Sequence, residues 1–365
     1  MGVTPARQDA MAAASAVLPL TVAVCTHERP RLLERALTSL LRLSPPAAEI
    51  LVIDNAPQSD ATRRMLAASF GSCRYIAEPV AGLDFARNRA LREAREDVVA
   101  FLDDDAVAEP DWALHLWMTL HQHPDVRLCT GRTDALSQAT DAQRLFECNG
   151  GYARGDRVVH LPYDARRRLH RLPAPLIAWA VSVGNGTNFA VHRATALAIG
   201  GFDEALELGA ALHGGGDLDL FWRVLQAGHE LMYQPLARAQ HEHRSDMDAM
   251  ARQLADHQRA LVAFLVKSRR HARGRTRREV TVFLWWRLVK PVVRMVRRVV
   301  GQDPLPLPIL WGMWRSALSG LTAYSAGIRV ARQQRGERPL DQGRGDQMHN
   351  PLREASCRTP RTGGA

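Results

Sequence analysis

The stretch Val98–Ala106 reads VVAFLDDDA, an apolar run that stops in three consecutive carboxylates. An unbroken apolar run of this length suits a buried strand. Three adjacent acids are unfavourable, because each raises the cost of ionising its neighbours, so they need water or a cation. Open α/β sheets bind ligands at the carboxyl ends of their strands, and this strand ends in hard oxygen ligands. Side chains alternate along an extended segment, which puts Asp103 and Asp105 on one side and Asp104 on the other. Such a pair suits Mg2+ or Mn2+, ions that also hold substrate phosphates. Alone, the triplet fits a solvated acidic turn better than a metal site. Asp104 is the one of the three expected to tolerate substitution best.

The residues on the N-terminal side repeat the pattern. Leu18–Cys25 (LPLTVAVC) is a strand that ends in Thr26-His27-Glu28-Arg29-Pro30. An amphipathic helix follows, with Leu33, Ala36, Leu37 and Leu40 at helical spacing. Ile50–Ile53 is a second strand closing on Asp54, and a helix over 60–69 leads to a short strand at 73–76. The segment EPVAGLDFARNRA then enters a helix ending at Arg95. This alternation predicts right-handed βαβ units and a mostly parallel sheet. Thr26, Glu28, Asp54 and the triple Asp thereby surround one crevice. Neither GxGxxG nor GxxxxGK[ST] is present, which removes the main support for dinucleotide or P-loop chemistry.

On the C-terminal side, a helix over 111–122 and a strand over 126–131 lead into an irregular stretch, 133–179, with a basic loop at Arg166–Arg171. That stretch is read as a specificity surface. GNGTNFAVHR (184–193) is a turn into a strand, and GGFDEAL (200–206) a turn into a helix. In GGGDLDLFWRVLQAGHELMYQP (214–235), Asp217 opens a helix, where the dipole favours an ionised carboxylate, and Asp219 follows. Gly228 ends that helix, and a strand over 230–233 precedes His241 and His243.

The 365 residues suffice for one large domain and an appendage. Five unpaired-looking cysteines without a CxxC suit a reducing compartment. Neither a signal peptide nor a transmembrane helix is expected. The net charge of +10 is concentrated between Lys267 and Arg298, where twelve Lys/Arg face one acid, Glu279. No nucleic-acid module accompanies this segment. A solvated helix face is one reading of it. Trp285 and Trp286 among the charges favour another, an anionic membrane surface.

THERP, the VIDNA turn, GLDFARNRA, FLDDD, GGFDEAL, GGGDLDLFWR and a histidine six residues after Pro235 occur in an order that resembles family 2 glycosyltransferases of the GT-A fold, over about Leu18 to Arg244. The resemblance implies an α/β, Rossmann-like domain that moves a sugar, with inversion, from a nucleotide-sugar to a hydroxyl acceptor. A divalent metal, Mn2+ or Mg2+, would assist, and the acceptor would be a glycan or lipid-linked molecule of cell-envelope or exopolysaccharide synthesis. By matching position, Thr26, Glu28 and Asp54 contact base and ribose, and Arg87 lies near the phosphates. Asp103 contacts the sugar-nucleotide, and Asp105 holds the metal with Asp103 and His241. Asp217 matches the general base, and Asn188 is placed on the acceptor side. The acid that precedes the base in the family is Gly216 here, which leaves both Asp217 and Asp219 as candidates for the base.

The implied organisation is a disordered N-terminus (1–17), the GT-A domain (18–247), a basic helical membrane-associating extension (248–332) and a disordered tail (333–365). The expected location is the cytoplasmic face of the membrane. Two alternatives are a non-catalytic GT-A-like binding protein and a nucleotidyltransferase. The latter would carry a Gly-rich basic loop where THERP stands.

Overall fold

The computed structural model describes residues 17–162, 175–208 and 212–336. The first half alternates as its apolar pattern requires: β1 (Leu18–Thr26), α1 (Pro30–Leu40), β2 (Ala47–Asn55), α2 (Ala61–Ser69), β3 (Arg74–Glu78), α3 (Leu83–Glu93) and β4 (Val98–Leu102). Then come β5 (Ala106–Ala108), α4 (Trp112–Gln122), β6 (Val126–Ala135), α5 (Asp141–Cys148), β7 (Val159–Leu161), α6 (Leu176–Ala180), β8 (Asn188–His192) and α7 (Arg193–Ala198). The last elements are α8 (Gly216–Gln226), β9 (Glu230–His241) and three long helices, α9 (Met247–His271), α10 (Gly274–Val299) and α11 (Leu307–Gln334). None of the described helices is long and apolar enough to cross a membrane. The N-terminal 16 residues, the chain beyond 336 and the Arg166–Arg171 loop lie outside the described residues.

Strand order is β3-β2-β1-β4-β8-β6-β9-β5, with β7 also on β9. Val22, Val24, Leu33 and Leu37 pack on one face of the sheet. Ala23, Leu51, Ile53, Ala86 and Leu91 pack on the other. Coverage of both faces is why the β1 and β4 sequences are continuously apolar. The first four strands are parallel, as is β6 with β9. The β4–β8, β6–β8, β5–β9 and β7–β9 pairs are antiparallel. The sheet is thus mixed rather than mostly parallel, because strict strand–helix alternation stops after β4 and the later strands are not joined by successive βαβ crossovers.

Two local expectations change. The strand expected over 230–233 runs on to His241, past Pro235. Its pairing with β6 shifts register between Gly131 and Arg132, and an irregularity there accommodates a residue without a ladder N–H. GGFDEAL forms a turn, not a helix. The Asn88 side chain holds it: its amide donates to Phe202 O (3.0 Å) and its oxygen accepts from Phe202 N–H (2.7 Å).

The three C-terminal helices pack onto the sheet region. Ala260 and Ala263 of α9 and Ala323 and Tyr324 of α11 share one cluster with Phe85 and Leu206. Lys267 Nζ reaches Asp203 Oδ2 (2.6 Å) and Asp219 Oδ1 (2.7 Å), tying α9 to α8 and to the 203 turn. Lys267→Met removes one cation from the buried Asp219 and the half-buried Asp203. It should cost about 3–5 kcal/mol, the usual effect of breaking a buried pair from one side. Chemical denaturation reads this directly, and an unchanged unfolding midpoint would show that the network does not hold the helices.

Candidate active site

Register builds the site. Thr26 lies opposite Asp54 at the ends of β1 and β2, and the β4 end presents Asp103–Asp105. β5 then pairs with the far end of β9, which sets Ala106 opposite His241. The backbone bond from Glu242 N–H to Asp105 O (3.1 Å) fixes that approach. His241 Nε2 is consequently 3.0 Å from Asp105 Oδ1. Ligand atoms of Asp103, Asp105 and His241 all lie within 4.8 Å of one another. Two carboxylates and an imidazole form a donor set that could hold a divalent metal ion.

The residues behind this cluster are less legible from sequence. His241 Nδ1 is 3.4 Å from His243 Nδ1, and His243 Nε2 is 2.7 Å from Glu147 Oε1. This chain orients the imidazole, as outer partners of metal-binding histidines do. Burial alone would disfavour charge on His241, yet the Asp105 carboxylate holds its pKa above the ordinary value. Burial likewise works against ionised Asp105, but the bond to His241 brings it below the ordinary range. Asp103 is pushed up by burial against the pull of Arg87.

Asp104 points away from the cluster, as alternation requires, but it is not a tolerant surface position. It is buried and accepts the Thr26 hydroxyl at 2.7 Å, with Arg29 at 3.4 Å. Burial pushes its pKa up to about 6. The side chain ties the end of β4 to the end of β1.

A cleft of about 1150 Å3 contains six of the anticipated residues: Thr26, Arg87, Asp103, Asp105, Asp217 and His241. Four others lie outside its lining. Glu28, with φ of +51°, accepts backbone N–H groups of Gln58 (2.8 Å) and Ser59 (3.1 Å). Asp54 is buried, bonded to the Tyr75 hydroxyl at 3.0 Å, with Oδ1 lacking a partner among the described residues.

The other two are corrections. Asn188 does not face an acceptor: its oxygen accepts from Trp112 Nε1 (2.8 Å), and its nitrogen donates to Arg132 O (2.8 Å) and Ala237 O (3.0 Å). It is a fully buried brace between β8, β6 and β9. Asp219 sits two residues along α8 from Asp217, roughly 200° around the helix. It is spent on Arg223 (2.6 Å) and Lys267 (2.7 Å). Of the two candidates for the base, only Asp217 enters the cleft.

The glycine that replaces the expected acid has a steric reason. A Cβ at Gly216 would stand 1.8 Å from Asp84 Oδ2. The space is filled by a carboxylate from α3 instead. Asp84 is fully buried and bonds Arg87 at 3.3 Å. Arg87 also approaches Asp103 (3.8 Å) and Glu207 (3.9 Å). Burial raises Asp84 well above the ordinary carboxylate range and pushes Glu207 up to about 7. Neither acid stood out in the sequence: Asp84 is inside GLDFARNRA, and Glu207 follows GGFDEAL without any marker. Gly216→Glu should lower stability by about 2–4 kcal/mol through overpacking and like charge. Adding Asp84→Ser should recover most of that loss. Thermal unfolding of the two variants checks this, and equal losses in both would refute the exchange of space.

Residues 21–193 match the model for Glycosyl transferase family 2. That segment, just under half of the chain, resembles family 2 glycosyltransferases. The chain is 30% identical over 164 residues to the pre-mycofactocin glycosyltransferase of Mycobacterium tuberculosis, which covers 44% of this chain and 30% of that protein. It is 31% identical over 110 residues to succinoglycan biosynthesis protein ExoM of Rhizobium meliloti, covering 28% and 35% respectively. The chain spans about a third of the length of these curated relatives. The mannosyltransferase PcManGT of Pyrobaculum calidifontis, solved with GDP-Man and Mn2+, superposes with a TM-score of 0.50 at 16% identity. That match covers 88% of this chain and 76% of the other, a likeness of fold that agrees with the family 2 segment.

Proposed function

We propose that this chain is a metal-dependent, inverting glycosyltransferase that moves a sugar from a nucleotide-sugar to a hydroxyl acceptor. The observation that carries the reading is the convergence of Asp103, Asp105 and His241 with Asp217 in one cleft. Asp105, Asp103 and His241 would hold Mn2+ or Mg2+, which when bound supplies a Lewis acid for the diphosphate leaving group. Thr26 and Arg87 line the same cleft, which supports their contact with the nucleotide side.

In the reaction, the acceptor oxygen bonds to the anomeric carbon from the side opposite the diphosphate. The carbon–oxygen bond to the diphosphate breaks with its electron pair on the leaving oxygen. The hydroxyl proton passes to the Asp217 carboxylate. A panel of UDP-, GDP- and dTDP-sugars tests the reading through turnover and product anomer. Metal-dependent transfer or hydrolysis of one of them, with inversion, is expected. Activity undiminished in chelator, or retention at the anomeric carbon, would overturn it.

Attachment to an anionic membrane surface through 267–298 belongs to the same proposal. Val282, Trp285, Val289, Val292, Val296 and Val299 are exposed along α10, Trp285 by 64%. They recur every three or four residues, and arginines flank them. Such a stripe suits burial among headgroups of an anionic leaflet, at a cytoplasmic face. The full chain should co-sediment with phosphatidylcholine–phosphatidylglycerol vesicles, and Trp285→Asp with Val289→Asp should cut partitioning by about tenfold or more. Equal co-sedimentation of the variant would remove this face from the account.

A further inference from the structure

Gly216 leaves this chain without an acid immediately before Asp217, and the carboxylate that fills the space does not replace it in the cleft. Asp84 does not line the cleft, and its Oδ2 is sealed in without a hydrogen-bond partner among the described residues. Glu207 does line it. Its backbone oxygen accepts Leu83 N–H (3.0 Å) at the start of α3, and its Oε2 accepts Gly214 N–H (2.9 Å) in the turn that opens α8. These two bonds fix the residue between the helix that carries Arg87 and the helix that carries Asp217. Oε1 approaches Arg87 Nη1 at 3.9 Å, beyond hydrogen-bond length. Among the described residues it accepts no hydrogen bond, yet it is not sealed like Asp84 Oδ2, so its lone pairs stay open to the cleft.

Arg87 Nη2 and Asp217 Oδ2 converge on Gly186, 2.7 and 3.2 Å from the point where a Cβ would stand. Arg87 Nη2 also approaches Asp103 Oδ1 at 3.8 Å. Asp103, Asp217 and Glu207 therefore surround one guanidinium. In glycosyl transfer the anomeric carbon lies one oxygen away from the diphosphate. It must also meet an acceptor oxygen whose proton goes to Asp217. The transferred ring is thus confined between the Asp103 cluster and Asp217, the gap that Arg87 and Glu207 border. Burial pushes Glu207 up to about 7 against the pull of Arg87, and the Asp217 charge adds to the rise. A hydroxyl that donates to Oε1 favours the ionised form and makes a charge-assisted bond.

We propose that Glu207 supplies the cleft carboxylate that Gly216 lacks, its Oε1 accepting a hydrogen bond from a hydroxyl of the sugar being transferred. This rests on the glycosyl-transfer reading of the same cleft and adds a specificity residue to it, one that lies beyond the matched segment 21–193. A donor with a hydroxyl at that position is held, whereas a deoxy position there leaves a buried carboxylate unpaired.

The test measures by calorimetry, with Mn2+, the affinity of the full chain for UDP-glucose, UDP-galactose, GDP-mannose and dTDP-glucose, and for UDP, GDP and dTDP. The readout is the ratio of each sugar-nucleotide affinity to that of its own diphosphate, which cancels effects on nucleotide and metal. Glu207→Gln keeps a carbonyl for Gly214 N–H and removes the charge. It should lower the ratio by about tenfold or more. Glu207→Asp keeps the charge but draws it back by one methylene. It should lower the ratio as well, and it serves if the Gln variant does not fold. Asp84→Asn changes a partner of Arg87 from outside the cleft, so it should move both affinities together and leave the ratio. A ratio unchanged in the Glu207 variants, or lowered as much by Asp84→Asn, would overturn the proposal while diphosphate binding kept the glycosyl-transfer reading intact. Failure of the unmodified chain to bind any of the diphosphates would sink that reading and this inference with it.

Discussion

Asp105→Ala abolishes metal-dependent binding of a nucleoside diphosphate and lowers transfer by about 10³-fold or more, the expected scale when several kcal/mol of charge stabilisation is lost. Asp105 is the central member of its cluster: it contacts His241 at 3.0 Å and shares the 4.8 Å ligand sphere with Asp103. Its removal leaves one carboxylate and an imidazole that has lost its partner, too few ligands for a hard divalent ion. Calorimetric titration of nucleoside diphosphate with and without Mn2+ measures the effect. Full metal-dependent affinity in the variant would displace the metal from these residues. A thermal-unfolding control separates a lost ligand from a lost fold, since Asp105 is itself buried.

The second large effect concerns the base. Asp217→Asn should reduce turnover by roughly 10²–10⁴-fold, the usual contribution of a positioned proton acceptor, while donor affinity is retained. Asn keeps the shape and removes only the ability to take a proton. Asp219→Asn should behave differently. Its carboxylate pairs with Arg223 and Lys267 away from the cleft, so its loss should appear as lower stability. Steady-state rates together with unfolding curves distinguish the two. If Asp219→Asn is the slow but stable variant, the proton goes there instead.

Much of this was legible in the chain because parallel strands buried on both faces leave a clear signature. VVAFL and LPLTVAVC stop abruptly in polar residues, and those ends do meet at one crevice. Alternation correctly set Asp103 and Asp105 on one side, and the histidine spacing brought His241 to them. Alternation could not report what Asp104 touches on its own side, since Thr26 is 78 residues away in sequence. Asn188 and Asp219 look like site residues in a linear motif and turn out to be buried braces, because their partners, Trp112 and Lys267, come from remote elements. Gly216 read as a missing acid. Only the fold shows that Asp84 already occupies the place, through a contact that no local pattern encodes. The charge of 267–298 was plain in composition, whereas its division into a buried face, a cleft face and an outer face required the helix to be seen packed.

The most direct test of the central claim is a structure of the chain with Mn2+ and a nucleoside diphosphate, read by anomalous scattering at the manganese edge. The account places the ion among Asp103, Asp105 and His241, with the diphosphate beside it and Asp217 facing the same cleft. Manganese bound elsewhere, or a nucleotide seated in the cleft with no ion at these three residues, would contradict it.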